Sequence, residues 1–132
     1  MTDFKVPDNL RYTKDHEWAR REEDGLLTIG ITDFAQDALG DITYAELPET
    51  GRTLDTGEGF GVVESVKTFS DLYAPVAGEV AETNAAVEED ASLINRDAYG
   101  EGWLIRLRPQ TEDAWETLLD AAGYRAVMES GD

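Results

Sequence analysis

The sequence predicts a small, mainly β protein, a barrel or sandwich with one short helix in its first half and a helical C-terminus. Short segments rich in β-branched and aromatic residues are separated by turn signals at nearly the spacing of all-β domains. This pattern continues as far as Pro109, and only after it do apolar side chains recur with a helical period. The change of period predicts a strand-rich body followed by a helical extension.

The first predicted element is a hairpin. Strand-like segments cover 16–21 and 26–31, and they are joined at Asp24-Gly25. Glycine supplies the positive φ that a tight hairpin turn needs. We therefore expect two paired strands at the start of the fold.

A short helix and a further strand are predicted next. Asp33 with Gln36 three residues later resembles a capping box, and Gly40 can end the helix in the left-handed conformation. A strand is expected at 42–47, followed by a proline and glycine turn at 48–51.

The middle of the chain carries a second predicted hairpin. A glycine-rich stretch at 57–61 leads into a β-rich run at 62–67, and the pattern resumes at 72–76 after a polar interval. Lys67 therefore falls near the point where the chain reverses. A further strand is predicted at 103–107.

The remaining segments include the predicted C-terminal helices. The segment 79–87 alternates loosely, in the manner of a strand, and 93–94 is a short apolar pair. Thr111 can cap a helix that ends at Gly123, and a second helical stretch is expected at 124–129. The apolar face of the first of these helices would consist of Trp115, Leu118, Leu119 and Ala122.

Length and charge limit the organisation and the partners. A chain of 132 residues predicts a single domain, 1–132, with a helical C-terminal extension at about 111–130. Its 29 acidic and 11 basic residues give a net charge of −18, which excludes a nucleic-acid or anionic-membrane binder. The acidic, lysine-poor composition indicates a halophilic prokaryote, in whose salt-rich cytoplasm self-repulsion is screened; an ordinary acidic protein is the alternative.

The absence of cysteine excludes several kinds of site. Without cysteine there is no disulfide framework, no thiol nucleophile and no zinc-thiolate site. The N-terminus lacks the apolar core of a signal peptide, and no apolar run is long enough to span a membrane. We therefore expect a cytoplasmic protein.

Several patterns that carry chemistry in other proteins are incomplete in this one. The glycine cluster at 57–61 has Val62 where a dinucleotide site needs its third glycine, and no helix follows. His16-Glu17 begins like a zinc-protease motif, but Arg20 stands where the second histidine belongs. We therefore expect no catalytic residue and no metal site.

Lys67 is the remaining candidate. A lysine at a hairpin tip projects its amine on four methylenes, where a modifying enzyme reaches it and an attached cofactor swings between active sites. The segment 61–67 (GVVESVK), followed by 70–80 (SDLYAPVAGEV), closely resembles the lipoyl-lysine segment of the H-protein family of the glycine cleavage system. Taken alone, Lys67 would be an ordinary exposed lysine.

The resemblance covers nearly the whole chain in order. Biotin carriers present Met-Lys-Met or Met-Lys-Leu at the hairpin tip, and acyltransferase lipoyl domains present Asp-Lys-Ala or Asp-Lys-Val; this chain matches neither. Two residues depart from the family pattern: Asp15, where serine is often found, and Phe69, where a small residue is usual. The other matching segments are YTKDHEW at 12–18, IGITDFAQ at 29–36, ELP at 46–48, LIN at 93–95 and YGEGWLI at 99–105.

The resemblance implies a flattened β-barrel of two antiparallel sheets and a carrier with no catalytic activity of its own. Lys67 would hold lipoic acid in amide linkage and shuttle the aminomethyl group of glycine. The implied partners are a pyridoxal-phosphate glycine decarboxylase, a tetrahydrofolate-dependent aminomethyltransferase, a flavin dihydrolipoamide dehydrogenase that uses NAD, and a lipoate-attaching enzyme.

The resemblance also implies a cradle for the loaded arm. The cationic amine of the cargo would be held by Glu17 and Asp71, with Asp15 at the position often filled by serine. Excluding water would suppress hydrolysis of the cargo. The alternative is that these are three of the 29 acids on an acidic surface.

Two other functions stay open on the sequence. A lipoyl-relay protein for lipoate assembly or another complex would keep Lys67 but would not need Glu17 and Asp71. An unmodified acidic interaction module would have Lys67 as a turn residue. The intact mass distinguishes the modified carriers from the unmodified module, because lipoylation adds one lipoyl group.

Overall fold

The computed structural model describes residues 4–130, which form two antiparallel sheets and several short helices. The strands are β1 (Arg11–Tyr12), β2 (Glu17–Arg21), β3 (Leu27–Ile31), β4 (Ile42–Glu46), β5 (Thr53–Leu54), β6 (Gly59–Ser65), β7 (Phe69–Tyr73), β8 (Gly78–Thr83) and β9 (Ile105–Pro109). The helices are α1 (Asp33–Leu39), α2 (Ala85–Glu89), α3 (Leu93–Arg96) and α4 (Ala121–Glu129), with a 3-10 helix at Ala114–Thr117.

The sheet topology confirms the predicted fold class. One sheet has six strands in the order β1-β2-β3-β9-β8-β5, and the other has three in the order β4-β6-β7. Every pairing is antiparallel among the strands that the structure describes. The main core is made of alternating side chains from both sheets, such as Ile29, Leu107 and Val63, each of which is fully buried.

A second, smaller core lies on the other face of the six-stranded sheet. Tyr12 and Trp18 are fully buried there beneath Tyr124 of α4. Gly30 is required beside them, because a Cβ at this position would lie 2.6 Å from the Trp18 ring. Both faces of β3 are therefore buried, which explains why all five of its residues are inaccessible.

The helix predicted from Thr111 to Gly123 is wrong. Leu119 exchanges two backbone hydrogen bonds with Tyr12, at 2.8 and 2.9 Å, and this pairing requires an extended chain. The 3-10 helix ends before it, and α4 begins afterwards with Asp120 as N-cap, whose side chain accepts from the Gly123 N–H at 2.8 Å. Gly123 consequently lies inside α4 instead of ending a helix.

Two further helices replace segments predicted as strand or left unassigned. β8 ends at Thr83, and the Asn84 side chain then caps α2 by accepting from the Ala86 N–H at 3.2 Å. The apolar pair at 93–94 begins α3. None of the helices in the described part of the chain has the length and apolar character needed to cross a bilayer.

We expect Gly61→Ala to destabilise the fold, because a Cβ at Gly61 would lie 2.2 Å from the carbonyl oxygen of Glu46 in the neighbouring strand. Relieving that overlap requires β4 and β6 to separate, at a cost of about 1–3 kcal/mol in the free energy of unfolding. Gly59→Ala is the matched control in the same strand, since its Cβ would lie 3.9 Å from the nearest atom. Urea denaturation of both variants measures the difference. Equal denaturation midpoints for the two variants would contradict the close approach of Gly61 to the Glu46 carbonyl.

Candidate functional site

Lys67 lies in the tight connection between β6 and β7, as predicted. The turn is closed by a 2.7 Å hydrogen bond from the Ser65 N–H to the Thr68 carbonyl. The Ser65 hydroxyl oxygen accepts from the Thr68 N–H at 3.1 Å. The Val66 N–H donates to the Asp41 carbonyl at 3.1 Å, which fixes the tip to the segment after α1. Lys67 is therefore an exposed side chain on a well-anchored turn.

The aliphatic part of Lys67 lies beside Gly40, which ends α1 with a φ of +81°. A Cβ at Gly40 would be 3.4 Å from the Lys67 Cε. Asn95 of α3 holds this point of the chain, because its side-chain amide donates to the Gly40 carbonyl at 2.9 Å and its oxygen accepts from the Ile42 N–H at 2.8 Å. The lysine stem thus rests on backbone at the C-terminus of α1.

A cavity of about 150 Å³ lies between the start of β2, α1 and β7. Its walls combine apolar side chains from α1 and both sheets with three carboxylates. The lining residues are Asp15, His16, Glu17, Ile31, Phe34, Ala35, Ala38, Leu39, Val63, Ser70, Asp71 and Leu72. The structure therefore brings Glu17, Asp71 and Asp15 to one cavity, and α1 connects that cavity to the stem of Lys67.

Glu17 is the buried carboxyl group of this cavity, with 2% of its surface exposed. Its Oε2 accepts from the Tyr73 N–H at 2.9 Å, and its Oε1 accepts from the Thr13 hydroxyl at 3.1 Å. The pKa of Glu17 is raised to about 8, mainly by burial and to a smaller extent by the charge of Asp15, although both hydrogen bonds act to lower it. Glu17 is therefore mostly protonated at neutral pH when no cation faces it.

Asp15 and Asp71 are exposed at the rim of the same cavity. The Asp15 N–H donates to the Thr13 hydroxyl oxygen at 3.2 Å, so the turn before β2 is built around Thr13. Asp71 belongs to β7, two residues before the Tyr73 N–H that binds Glu17. A cation inside the cavity would meet one buried carboxyl group and two solvated carboxylates.

His16, between the two acids, belongs in the sequence only to an incomplete metal motif. It adopts a φ of +69°, its ring stacks on Phe34 with centroids 4.7 Å apart, and its Nδ1 lies 2.7 Å from the Tyr124 hydroxyl. The same hydroxyl lies 2.7 Å from Oγ1 of Thr32, the N-cap of α1. These contacts hold the cavity wall against α4, and no local sequence pattern indicates them.

The Glu17→Gln variant should change how stability depends on pH. A folded-state pKa of about 8, above the ordinary 4.5, means that folding favours protonated Glu17. Its stabilising contribution is complete below about pH 4.5 and is lost as the pH rises through about 8. The wild-type free energy of unfolding, minus that of the variant, should therefore fall across this range in urea titrations. A constant difference would contradict the raised pKa.

The arrangement can support two chemical operations. An exposed, anchored lysine amine can be acylated and can then carry a group beyond the surface of the protein. A cavity with apolar walls and carboxyl groups can receive a cation and limit its contact with water. Neither operation requires a catalytic site on this chain.

Comparison with known proteins gives one consistent result. A family model described as "Glycine cleavage H-protein" matches residues 10–131. The chain is 57% identical over 125 residues to a glycine cleavage system H protein of Thermus thermophilus, covering 95% of this chain and 97% of that protein. It is 53% identical over 125 residues to the H protein of Bacteroides thetaiotaomicron, with coverages of 95% and 98%. The crystal structure of a glycine cleavage system H protein from Mycobacterium marinum is similar, with a TM-score of 0.85, 40% identity, and coverages of 96% and 100%.

Proposed function

This chain belongs to the glycine cleavage H-protein family, and we propose that Lys67 is the residue to which its lipoyl group is attached. Proteins of this family are lipoyl carriers of the glycine cleavage system, with lipoate covalently bound to a lysine, and they are not themselves catalysts. The protein therefore acts as a carrier that interacts with the other components of that system.

The position of Lys67 is the observation that carries the proposal. The chain contains three lysines, Lys5, Lys14 and Lys67. Lys67 extends from a turn between the seven-residue β6 and the five-residue β7, whereas Lys14 follows the two-residue β1. Long paired strands hold a tip rigidly, so that an enzyme can meet the amine in a fixed orientation.

When attached, lipoate supplies a disulfide that accepts the aminomethyl group of glycine and a dithiol that must later be reoxidised. The contribution of this chain is to hold and shelter the cargo. The cavity lined by Glu17 and Asp71 fits the cationic end of such a cargo, because it offers carboxyl groups beside apolar walls. Phe34 and Leu39 would exclude water there, and Asp15 would add negative charge at the rim.

The proposal includes the specific partners that membership of this family implies. A pyridoxal-phosphate glycine decarboxylase would load the arm, a tetrahydrofolate-dependent aminomethyltransferase would unload it, and a flavin dihydrolipoamide dehydrogenase would reoxidise it with NAD. A lipoate-attaching enzyme would modify Lys67. The turn can contact each of these four proteins in succession, because Lys67 is exposed.

A reconstitution experiment tests the proposed function. The lipoylated chain, mixed with the decarboxylase and glycine, should support exchange of labelled carbon dioxide into the glycine carboxyl group. The unlipoylated chain from cells deprived of lipoate serves as the control and should show no exchange above background. Equal exchange with both forms would contradict the role of the modification.

We further propose that the acidic surface is adapted to high salt, since the chain contains 29 acidic and only 11 basic residues. Folding gathers these charges together, and unfolding relieves their repulsion. Because the Debye length shrinks from about 30 Å at 0.01 M salt to about 3 Å at 1 M, potassium chloride should raise the thermal midpoint. Midpoints measured from 0.01 to 2 M at fixed pH test this, and a flat or falling midpoint would contradict it.

A further inference from the structure

The surface around Lys67 exposes large apolar side chains. Val66 is 70% exposed, Phe69 is 65% exposed and Tyr44 is 47% exposed, and these are the large hydrophobic side chains left open among the described residues. All three belong to the three-stranded sheet or its connecting turn. Exposed apolar groups gathered at one place indicate a contact surface more than scattered ones do.

Strand register explains how this surface is ordered. Residues directly opposite in antiparallel strands share a face, so two rows of side chains cross β4, β6 and β7 on the outer face of the sheet. The row nearer Lys67 is Tyr44, Glu64 and Phe69, and the next row is Glu46, Val62 and Asp71. Apolar and acidic side chains are therefore interleaved.

The charge of this face is of one sign. None of the three strands β4, β6 and β7 contains a lysine or an arginine. The basic residues at their margins include Lys67 in the turn and Arg52, whose guanidinium donates to the Gly59 carbonyl at 3.2 Å. On β8 of the other sheet, the exposed acids Glu79 and Glu82 each lie within 4 Å of an arginine. The outer face of this sheet thus combines apolar side chains with charged side chains that are all acidic.

The short distance between the protein backbone and the Lys67 amine indicates which partner contacts this surface. The amine of Lys67 stands four methylenes from the backbone, with Val66 directly before it and Phe69 two residues after it. A protein that reacts at Nζ must come against these side chains. Enzymes that react at the sulfur end of an attached lipoyl group have the length of the arm between their active site and this surface.

We propose that the Val66–Phe69 surface, defined as Val66, Phe69, Tyr44 and the adjoining Glu46, is the docking site of the enzyme that acylates Lys67. The partner surface would offer apolar depressions bordered by lysine or arginine, which complement the interleaved side chains. This inference rests on the proposed attachment of lipoate to Lys67, and it deepens it by assigning the recognition surface.

The covalent step requires an activated acyl donor of the mixed-anhydride class, held by that enzyme. The Lys67 Nζ, as the free amine, attacks the lipoyl carbonyl carbon and forms a C–N bond. The C–O bond to the phosphate leaving group breaks, and the nitrogen loses one proton. The docking surface changes no bond; it sets the distance and orientation of the amine.

Steady-state lipoylation of purified unmodified protein tests the proposal. The double variant Val66→Ser/Phe69→Ser should lower kcat/KM about tenfold through KM, as truncation of central interface residues does. Glu46→Gln should raise KM at low salt and have no effect in 1 M potassium chloride. Glu112→Gln, an exposed acid in the loop after Pro109, is the matched charge control and should behave as wild type.

Three results would overturn the inference. The first is a double variant with the same kcat/KM as wild type. The second is a loss confined to kcat, which would indicate that the amine is displaced while binding is unchanged. Fully lipoylated double variant should support carbon dioxide exchange as wild type does; an equal loss there would assign the surface to the decarboxylase instead. If the wild-type chain itself is not modified, the proposed attachment site fails, and this result is distinct from the other three.

Discussion

Replacing Lys67 with arginine is expected to abolish glycine-dependent carbon dioxide exchange while leaving the fold intact. Arginine keeps the charge and the approximate length, but its guanidinium stays protonated and is no nucleophile for an activated lipoyl group. Lys67 is exposed, so the free energy of unfolding should change by no more than about 0.5 kcal/mol. Exchange activity and urea denaturation, measured on the same preparation, check both parts of this prediction.

Lys14→Arg is the matched control for this substitution. Lys14 is also exposed in a turn and lies one residue before Asp15, so a general effect of losing a lysine amine near the cavity would appear there too. We expect this variant to be lipoylated and to exchange carbon dioxide as wild type does. Residual exchange in Lys67→Arg that disappears only when Lys14 is also replaced would show that the attachment site is elsewhere.

Replacing the carboxyl groups of the cavity is expected to shorten the life of the loaded protein. Charge-assisted hydrogen bonds are about twice as strong as neutral ones, so Glu17→Gln or Asp71→Asn should speed the release of formaldehyde and ammonia about tenfold. Burial raises the pKa of Glu17 to about 8, but a cation beside it favours its ionised form. The protection in wild type should therefore grow as the pH rises from 6 to 8.

Asp113→Asn supplies the control, since Asp113 is an exposed acid that lies outside the cavity. All three variants should still become fully lipoylated, because none of these residues belongs to the turn around Lys67. If the loaded forms of Glu17→Gln, Asp71→Asn and wild type decay at equal rates, the cavity does not protect the cargo. A loss of lipoylation in Glu17→Gln would instead indicate that the change disturbs the fold.

The hairpin that presents Lys67 could be predicted because its signals are local. A β-rich run at 62–67 marks the second half of β6, and the polar interval before 72–76 marks the reversal of the chain. Gly40 likewise ends α1 with a positive φ, as its position after an apolar stripe predicts. Features that depend on a few neighbouring residues are accessible to pattern arguments.

The cavity could not be derived from such patterns, because its contacts join distant parts of the chain. The hydrogen bond from the Tyr73 N–H to Glu17 spans 56 residues, and the contact between His16 and Tyr124 spans 108. Glu17 and Asp71 were chosen by resemblance to a family, and no spacing rule would have selected them among 29 acids. The helix predicted from Thr111 to Gly123 does not form for the same reason, since the pairing of Leu119 with the distant Tyr12 overrides the local helical pattern.

The most direct test of attachment at Lys67 is the intact mass of the protein from its native host, followed by fragmentation to locate any added mass. The chain has three lysines, so the assignment has few alternatives. We predict a mass increase of one lipoyl group, found entirely on the fragment that contains Lys67. An unmodified chain, or a lipoyl group on Lys5 or Lys14, would contradict the account.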